Sequence, residues 1–350
     1  MAVKRARTIV QDRRTEDLLA EIARAYYERD LTQAQVATQF GVSRSQVSRY
    51  LRDARAQEIV QIRIVAPESR QQATEIALRE RFPHLLEVIV PAAFSTTTVT
   101  IRMAIARAGA RLVEKLVKPG STVCFGAGTT LAEMVEILRK HPRRNVTVVQ
   151  AMGNAGHEGL RIDYNAVAQR AAAAFDGRAI QINAPAILGP GARAVDLAAS
   201  NRNIGDAVRV ARSADLFVLG IGSLTGDEIY VETGLISLEE LDLLRRDGAV
   251  GDICGNFYDI AGRQVSSPLR DRLVGIRIED LRRAQLVVAL AGGAEKVPAI
   301  LGALNGRLVN ALVTDEHTAR GVLELGRERD RRKTAAPLGA AMEASAGGGS

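Results

Sequence analysis

The stretch from Leu31 to Val65, LTQAQVATQFGVSRSQVSRYLRDARAQEIVQIRIV, constrains the fold more than any other part of the chain. Thr32 and Ser43 each stand before a short run with apolar residues at helical spacing, so two helices open on hydroxyl N-caps. Between them Phe40-Gly41-Val42 makes a tight turn with one glycine, and the small Ala37 sits where two crossing helices would otherwise collide. Val47, beyond the turn, closes a little core with Val36, Phe40, Tyr50 and Leu51. Small residue, glycine and aliphatic in that order are the steric requirement of two helices packed at a steep angle. The spacing predicts a helix-turn-helix.

Winding the second helix at about 100° per residue places Arg44, Ser45, Ser48, Arg49 and Arg52 within an arc of roughly 140°. Val47, Tyr50 and Leu51 fall on the core side. Arginine forks onto guanine edges or phosphates, and serine reaches either. Arg44, Ser45, Ser48 and Arg49 are therefore assigned to base edges of double-stranded DNA, and Arg52 and Arg55 to phosphate. The competing reading is a helical hairpin with a solvated basic face, which leaves the agreement of caps, glycine and core positions unexplained.

The flanks extend this module. Residues 1–15 form a basic arm without apolar periodicity. Glu16 to Arg29 is amphipathic, with Leu18, Leu19, Ile22, Ala25 and Tyr26 as the stripe that braces the two helices. Ile59 to Val65 alternates like a strand and predicts a wing, giving a winged helix-turn-helix over residues 16–66. Residues 67–85 form a linker whose helix, with Ala73, Ile76, Ala77 and Phe82 on one face, serves either dimer contacts or the start of the next domain.

Charge follows the same division. The net charge is +7, and residues 1–70 carry 13 Lys or Arg against 9 Asp or Glu, while the other 280 carry 34 against 31. An N-terminal excess suits attraction to phosphate and steep salt dependence. No apolar run approaches the roughly 18 residues of a membrane span, and the N-terminus lacks the apolar core of a signal peptide, so a cytoplasmic location is expected. Cys124 and Cys254 are the two cysteines; they offer no disulfide framework and no zinc site.

From Leu86 the pattern changes to strands alternating with helices. Candidate strands are Glu87 to Pro91, Thr122 to Phe125, Val146 to Gln150, Ala179 to Asn183, Leu216 to Ile221, Leu286 to Ala291 and Val309 to Val313. Strands this apolar are buried on both faces, so residues 86–328 are expected to form a mainly parallel, open α/β sheet. In such sheets ligands bind beyond the carboxyl ends of the strands. Glycines stand at four of those ends, in Gly126-Ala127-Gly128-Thr129-Thr130, Gly153-Asn154, Gly220-Ile221-Gly222-Ser223 and Gly292-Gly293-Ala294-Glu295-Lys296. Gly126 and Gly128 let backbone N–H groups approach an anion, and Thr129 and Thr130 add hydroxyls at a helix start. The loop is neither a Walker loop nor a full dinucleotide fingerprint, and a plain βα turn explains it as well. Lys296, following a Gly-Gly turn, reaches toward the same crevice.

The reader, the wing and an α/β domain carrying GAGTT, Gly-Asp-Ile-x-Gly-x-Phe at 251–257, Gly-Gly-x-x-Lys and Leu-Val-Thr-Asp-Glu at 312–316 resemble the SorC family of sugar-responsive bacterial transcriptional regulators. The resemblance covers about residues 16–325. It implies an effector domain related to ribose-5-phosphate isomerase and glucosamine-6-phosphate deaminase, used for sensing; a phosphorylated sugar or polyol effector; and a homodimer or homotetramer. By the same resemblance the anion cradle is Gly128, Thr129 and Thr130, the lysine is Lys296, and Asp252 accepts sugar hydroxyls, where the alternative is a turn cap. Some members place a basic residue before the glycine that ends the third strand; here it is Met152. The usual glycine at the end of the recognition helix is replaced by Glu58.

His157 lies near a strand-end glycine, but the four histidines show no metal-ligand spacing, and no metal or cofactor is expected. Asp315 and Glu316 fit helix N-capping as well as ligand contact. The tail, 329–350, becomes Ala, Gly and Ser rich and is expected to be disordered. Two readings of function differ in class. One is an effector-controlled DNA-binding regulator without catalytic residues. The other is a sugar-phosphate isomerase or deaminase with an appended DNA-binding domain, for which Asp252, Asp259 and Asp315 are the candidate bases. A constitutive DNA-binding protein whose α/β domain only oligomerises is a third.

Overall fold

A computed structural model of the chain describes residues 16–60, 70–92, 97–141, 145–155, 163–224 and 229–335. The chain divides into two compact units, Met1–Pro67 and Glu68–Ser350.

In the first unit, helix α1 covers residues 16–27, α2 covers Gln33–Phe40 and α3 covers Arg44–Ala56. Both reader helices open on complete capping boxes. Thr32 Oγ1 takes the Gln35 amide while Gln35 returns its carbonyl to the Thr32 amide, and Ser43 and Gln46 repeat the exchange. Gly41 ends α2 at φ 65°, a left-handed conformation that costs glycine nothing. Leu19, Ile22, Ala23 and Ala25 of α1 meet Val36, Val47, Leu51 and Ala54 in one core, with Phe40 and Tyr50 packed at its margin. Leu18, placed in the stripe by periodicity, is instead 37% exposed, and Ala23 takes its place. Glu58 adopts φ 57° after the last turn of α3, so a non-glycine residue makes the left-handed turn that ends the helix. Most of the expected wing, from residue 61, lies outside the described residues.

The second unit begins with α4 (Gln72–Arg81), followed by β1 (Glu87–Ile89), α5 (Thr98–Leu116), β2 (Thr122–Phe125), α6 (Thr129–Ile137), β3 (Thr147–Gln150), α7 (Tyr164–Ala174) and β4 (Arg178–Ile180). Then come α8 (Ala194–Ser200), α9 (Arg202–Arg212), β5 (Leu216–Gly220), β6 (Gly222–Ser223), α10 (Ile229–Glu232), α11 (Leu238–Arg246), β7 (Ala249–Ile253) and β8 (Asn256–Asp259). The chain closes with α12 (Leu269–Arg272), α13 (Ile278–Arg283), β9 (Val287–Leu290), α14 (Val297–Asn305), β10 (Ala311–Val313) and α15 (Glu316–Ala335). All seven candidate strands enter one sheet of order β1-β10-β9-β5-β2-β3-β4, parallel at every pairing. Two apolar cores are built on it, one holding Val123, Phe125, Val148 and Val218, the other Cys124, Val149, Phe217 and Leu219. Alternate residues of β2, β3 and β5 thus face opposite sides, as a sheet covered on both faces requires.

The sheet order reverses around β2. From β2 the chain moves outward through β3 and β4, then returns to place β5 on the other side. A crevice at such a switch point is where ligands bind in open α/β sheets. A second, antiparallel sheet, β6-β7-β8, was not foreseen from periodicity, because its strands are short and rich in glycine and polar residues. It is anchored by the pairing of Gly222 with Asp252. Helix α4 packs within this second unit, and its buried face differs from the expected one. Thr74, Glu75 and Leu78 are buried and Phe82 follows them, whereas Ala73 and Ile76 are exposed. The physical reason is Glu75, whose charge is neutralised by Arg70 and so tolerates burial.

Candidate functional site

On α3 the six assigned residues, Arg44, Ser45, Ser48, Arg49, Arg52 and Arg55, are all exposed, while Val47, Leu51 and Ala54 are buried beneath them. The exposed face is held in shape. Arg49 lies over the Tyr50 ring at 5.9 Å, Arg55 Nε donates to the Leu51 carbonyl at 3.3 Å, and Ser45 Oγ shares a 2.9 Å hydrogen bond with Ser43 Oγ. Ser45 therefore stands partly committed to the helix start, whereas Ser48 and Arg49 point from the middle of the face.

In the second unit the strand ends converge at the switch point. Gly126 follows β2, and its N–H donates to the Val218 carbonyl of β5 at 2.9 Å. A Cβ built on Gly126 would lie 3.2 Å from Cys254 Sγ and 3.3 Å from Leu219 Cδ2, so a side chain here would press both neighbours by a few tenths of an ångström. Gly128 is the N-cap of α6 and provides no side-chain bond, leaving the first-turn amides without a side-chain cap. Thr129 is exposed and Thr130 half-buried beside them. Free amides and a positive dipole end are the features an anion uses.

Asp252 is brought to the same place by the small sheet and is 3% exposed. A Cβ on Gly222 would meet Asp252 Oδ1 at 2.1 Å, so the glycine after β5 exists to admit this carboxylate. Tyr230, on α10, donates to Asp252 Oδ2 at 2.5 Å, and the Gly255 amide donates to the same oxygen at 2.9 Å. Burial pushes the Tyr230 hydroxyl well above its ordinary value, and the Asp252 charge adds to this; burial and Asp252 raise the Cys254 thiol too. Tyr164, at the start of α7, is raised by burial and then by Cys254 and Asp252. These groups stay protonated at neutral pH. Lys296 ends a 3-10 turn, Ala294–Lys296, that is tied to the same group because Ser223 Oγ donates to the Glu295 carbonyl at 2.8 Å. Lys296 is half-buried.

Not every strand-end glycine serves the crevice. A Cβ on Gly153 would strike the Ala184 carbonyl oxygen at 2.4 Å, so this glycine allows two backbones to cross. Met152 is buried, and a Cβ on Gly255 would lie 3.6 Å from its Cε, so the residue before Gly153 contributes an apolar wall. Asp315 caps α15 through the Thr318 amide at 2.9 Å and also receives the Gly293 amide at 3.1 Å. His157 lies outside the described residues. Tyr230, Tyr164, Cys254 and Ser223 were not identified from sequence. The signal available for Tyr230 was its place as a lone aromatic in the polar run TGDEIYVETG of a chain with 4% aromatic residues. Among the described residues no cluster of metal-ligating side chains is assembled, and no helix is long and apolar enough to cross a membrane.

Residues 66–324 match the Sugar-bind family, a sugar-binding domain, and residues 4–57 match region 4 of sigma-70. The deoxyribonucleoside regulator of Bacillus subtilis is 31% identical over 312 residues, covering 89% of this chain and 99% of that protein. The sorbitol operon regulator of Klebsiella pneumoniae is 32% identical over 319 residues, covering 88% and 98%. The crystal structure of that full-length regulator, SorC, superposes with a TM-score of 0.66 over 88% of this chain and 99% of its own. A helix-turn-helix reader joined to a sugar-binding α/β domain defines a DNA-binding transcriptional regulator. The chain belongs to the SorC family of such regulators.

Proposed function

We propose that the effector is a phosphorylated sugar or polyol that binds the switch-point crevice and changes the affinity of α3 for an operator of a carbohydrate or polyol pathway. One observation carries this reading: Gly126, which opens the loop to the uncapped N-terminus of α6 with Gly128, Thr129 and Thr130, approaches Cys254, two residues beyond Asp252 of the Asp252–Tyr230 pair. The first end suits a phosphate and the second suits hydroxyls, and Lys296, in the turn tied to Ser223 next to Gly222, is the candidate cation. The names of the deoxyribonucleoside and sorbitol operon regulators support a small polyhydroxylated effector. A symmetric homodimer in the cytoplasm, setting its readers about 34 Å apart on a near-palindrome, is the arrangement such a reader uses.

Sensing is favoured over turnover by the state of the three candidate bases. Asp252 Oδ2 accepts from Tyr230 and Gly255, Asp259 is gripped by Arg263, and Asp315 caps α15. None stands ready to take a proton from substrate.

The test is thermal unfolding of the full chain with ribose 5-phosphate, sorbitol 6-phosphate and their unphosphorylated parents. A ligand at 100 times its dissociation constant adds about 2.7 kcal/mol, a rise of a few degrees. Stabilisation by an ester and not by its parent supports the anion cradle. Stabilisation by the parents alone overturns the phosphate assignment, and consumption of either ester overturns the sensing reading.

A further inference from the structure

We infer that the loop carrying Lys296 and the point where the chain enters the second unit are coupled by one hydrogen-bonded path, which ends in a clamp of half-buried Arg70 on buried Glu75. The inference rests on the effector reading above and says how the crevice would report its occupancy to the chain segment that follows the reader.

The path is continuous. The Gly293 amide donates to Asp315 Oδ2 at 3.1 Å and to Thr318 Oγ1 at 2.8 Å, fixing the loop to the end of β10. The neighbouring Thr314 amide donates to the Ile89 carbonyl at 3.1 Å, joining β10 to the end of β1. The next amide of that strand, Val90, donates to Glu75 Oε1 at 2.8 Å. Glu75 in turn receives both arms of Arg70, Nε on Oε1 at 2.8 Å and an Nη on Oε2 at 2.9 Å. The same Nη donates to the Val88 carbonyl at 2.8 Å, and the Gln71 amide donates to the Val90 carbonyl at 2.9 Å. Arg70 thereby forms an antiparallel bridge with Pro91, adding the first described residues of the unit to the edge of the sheet.

Two features make this a coupler as well as a staple. Among the described residues, strand β1 is at the edge and pairs with β10 in the sheet, so its end is held by the clamp on one side and by the Thr314–Ile89 bond on the other. Glu75 is 3% exposed, so it cannot exchange its protein partners for water when the strand end shifts. A displacement of the Gly293–Lys296 loop therefore reaches Arg70 through the buried Asp315, Thr314, Ile89 and Glu75, a physically contiguous network with an end at each site.

Amide hydrogen exchange on the full chain tests this without needing the natural effector. Asp315→Asn is expected to speed exchange of the Gln71 and Val90 amides at least tenfold while Val123 and Val148, in the middle of the sheet, keep wild-type rates. The reciprocal variant Glu75→Gln is expected to speed the Gly293 amide. If each variant loosens only its own surroundings, or if both speed Val123 as much as the distant amides, the coupling is overturned. In a second arm, binding of a selected DNA duplex is measured with and without ribose 5-phosphate or sorbitol 6-phosphate. Glu75→Gln is expected to bind ester and duplex as wild type does and to lose at least tenfold of the ester's effect on duplex affinity. An ester that alters nothing in the wild type counts against the effector reading, and the exchange rates still decide the path.

Discussion

Tyr230 gives its hydroxyl hydrogen to Asp252 Oδ2 across 2.5 Å, within a site where Oδ1 fills the space that any side chain at position 222 would need. The carboxylate is thus oriented from one side by a phenol and from the other by a glycine. The phenol is kept protonated by burial and by the carboxylate's own charge, so it remains a donor throughout the physiological range. The turn that follows Asp252 is unusual in the same place: Cys254 and Gly255 both have positive φ, 50° and 73°, and the Gly255 amide completes the hold on Oδ2. On the effector reading proposed above, a buried carboxylate so oriented would offer its acceptors to a hydroxylated ligand in a fixed direction.

Tyr230→Phe removes one donor and leaves the ring against Phe257, where the centroids are 5.4 Å apart. Loss of a hydrogen bond to a charged group costs about 1.5–3 kcal/mol of stability. Effector affinity is expected to fall about tenfold, roughly 1.4 kcal/mol, because Asp252 then loses one of the groups that orient it. Gly222→Ala forces the same carboxylate out of place from the opposite side and should lower affinity at least as much. Calorimetric titration with whichever ester stabilises the wild type measures both. Unchanged affinity in the two variants would remove Asp252 from the site.

On α3 the two classes of contact separate by salt and by sequence. Arg52→Ala is expected to weaken binding of every duplex alike and to flatten the slope of log K against log salt by about one unit, as one lost phosphate contact requires. Arg49→Ala is expected to cost about 1–3 kcal/mol on the selected duplex and to relax preference at one base position. Fluorescence anisotropy across a salt series, with the selected duplex and single-base variants of it, reads both effects. A uniform loss for Arg49→Ala would move that residue to the phosphate class.

The reader was legible in sequence because its determinants are local: Thr32 and Ser43 cap, Gly41 turns, and Val36, Val47 and Leu51 fill the core, all within two helices. The central strands β5, β9 and β10 were legible because both faces are covered, so each is an apolar run, while the edge strand β4 is only partly buried and its range shifts to Arg178–Ile180. The small sheet was not, since Gly222, Gly251 and Asp252 are dictated by contacts with one another and with Ala299, and leave no periodic trace. The same holds for α4. Periodicity assigned Ile76 to the buried face, but the hydrogen bond from Val90 to Glu75 and the ion pair with Arg70 set the helix rotation instead, leaving Ile76 half exposed. Long-range pairing of a charge overrides an apolar stripe of only three or four residues.

Glu58 offers a stability test of the reader alone. Its φ of 57° lies in the left-handed region, where a side chain with a Cβ is strained, and its amide bonds the Arg55 carbonyl at 3.1 Å to close the helix. Glu58→Gly is expected to stabilise the first unit by about 0.5–1 kcal/mol, the relief of strain outweighing the greater freedom of the unfolded chain. Glu58→Val, whose β-branch is least tolerant of positive φ, should destabilise it by a similar amount or more. Denaturant unfolding monitored by hydrogen exchange of Val47 and Leu51 gives the sign; a glycine variant no more stable than the wild type would show that Glu58 makes contacts worth as much as the strain.

His84 sets the response of the second unit to mild acid. Burial lowers its pKa, the Arg307 guanidinium lowers it further, and a backbone hydrogen bond involving Val309 opposes them without prevailing. The folded chain therefore holds the imidazole neutral under conditions where the unfolded chain, at the ordinary value of 6.5, takes up a proton. Stability from this group is full above the unfolded value and is lost as pH falls from there through the folded value. Unfolding free energies measured at pH 7.5 and 5.5 are expected to decline more in the wild type than in His84→Gln, which has no titrating ring. Loss of the ring's edge contact with Phe82, at 6.2 Å between centroids, lowers the variant equally at both pH values and cancels from the comparison. Equal declines in the two proteins would mean that the proton goes elsewhere.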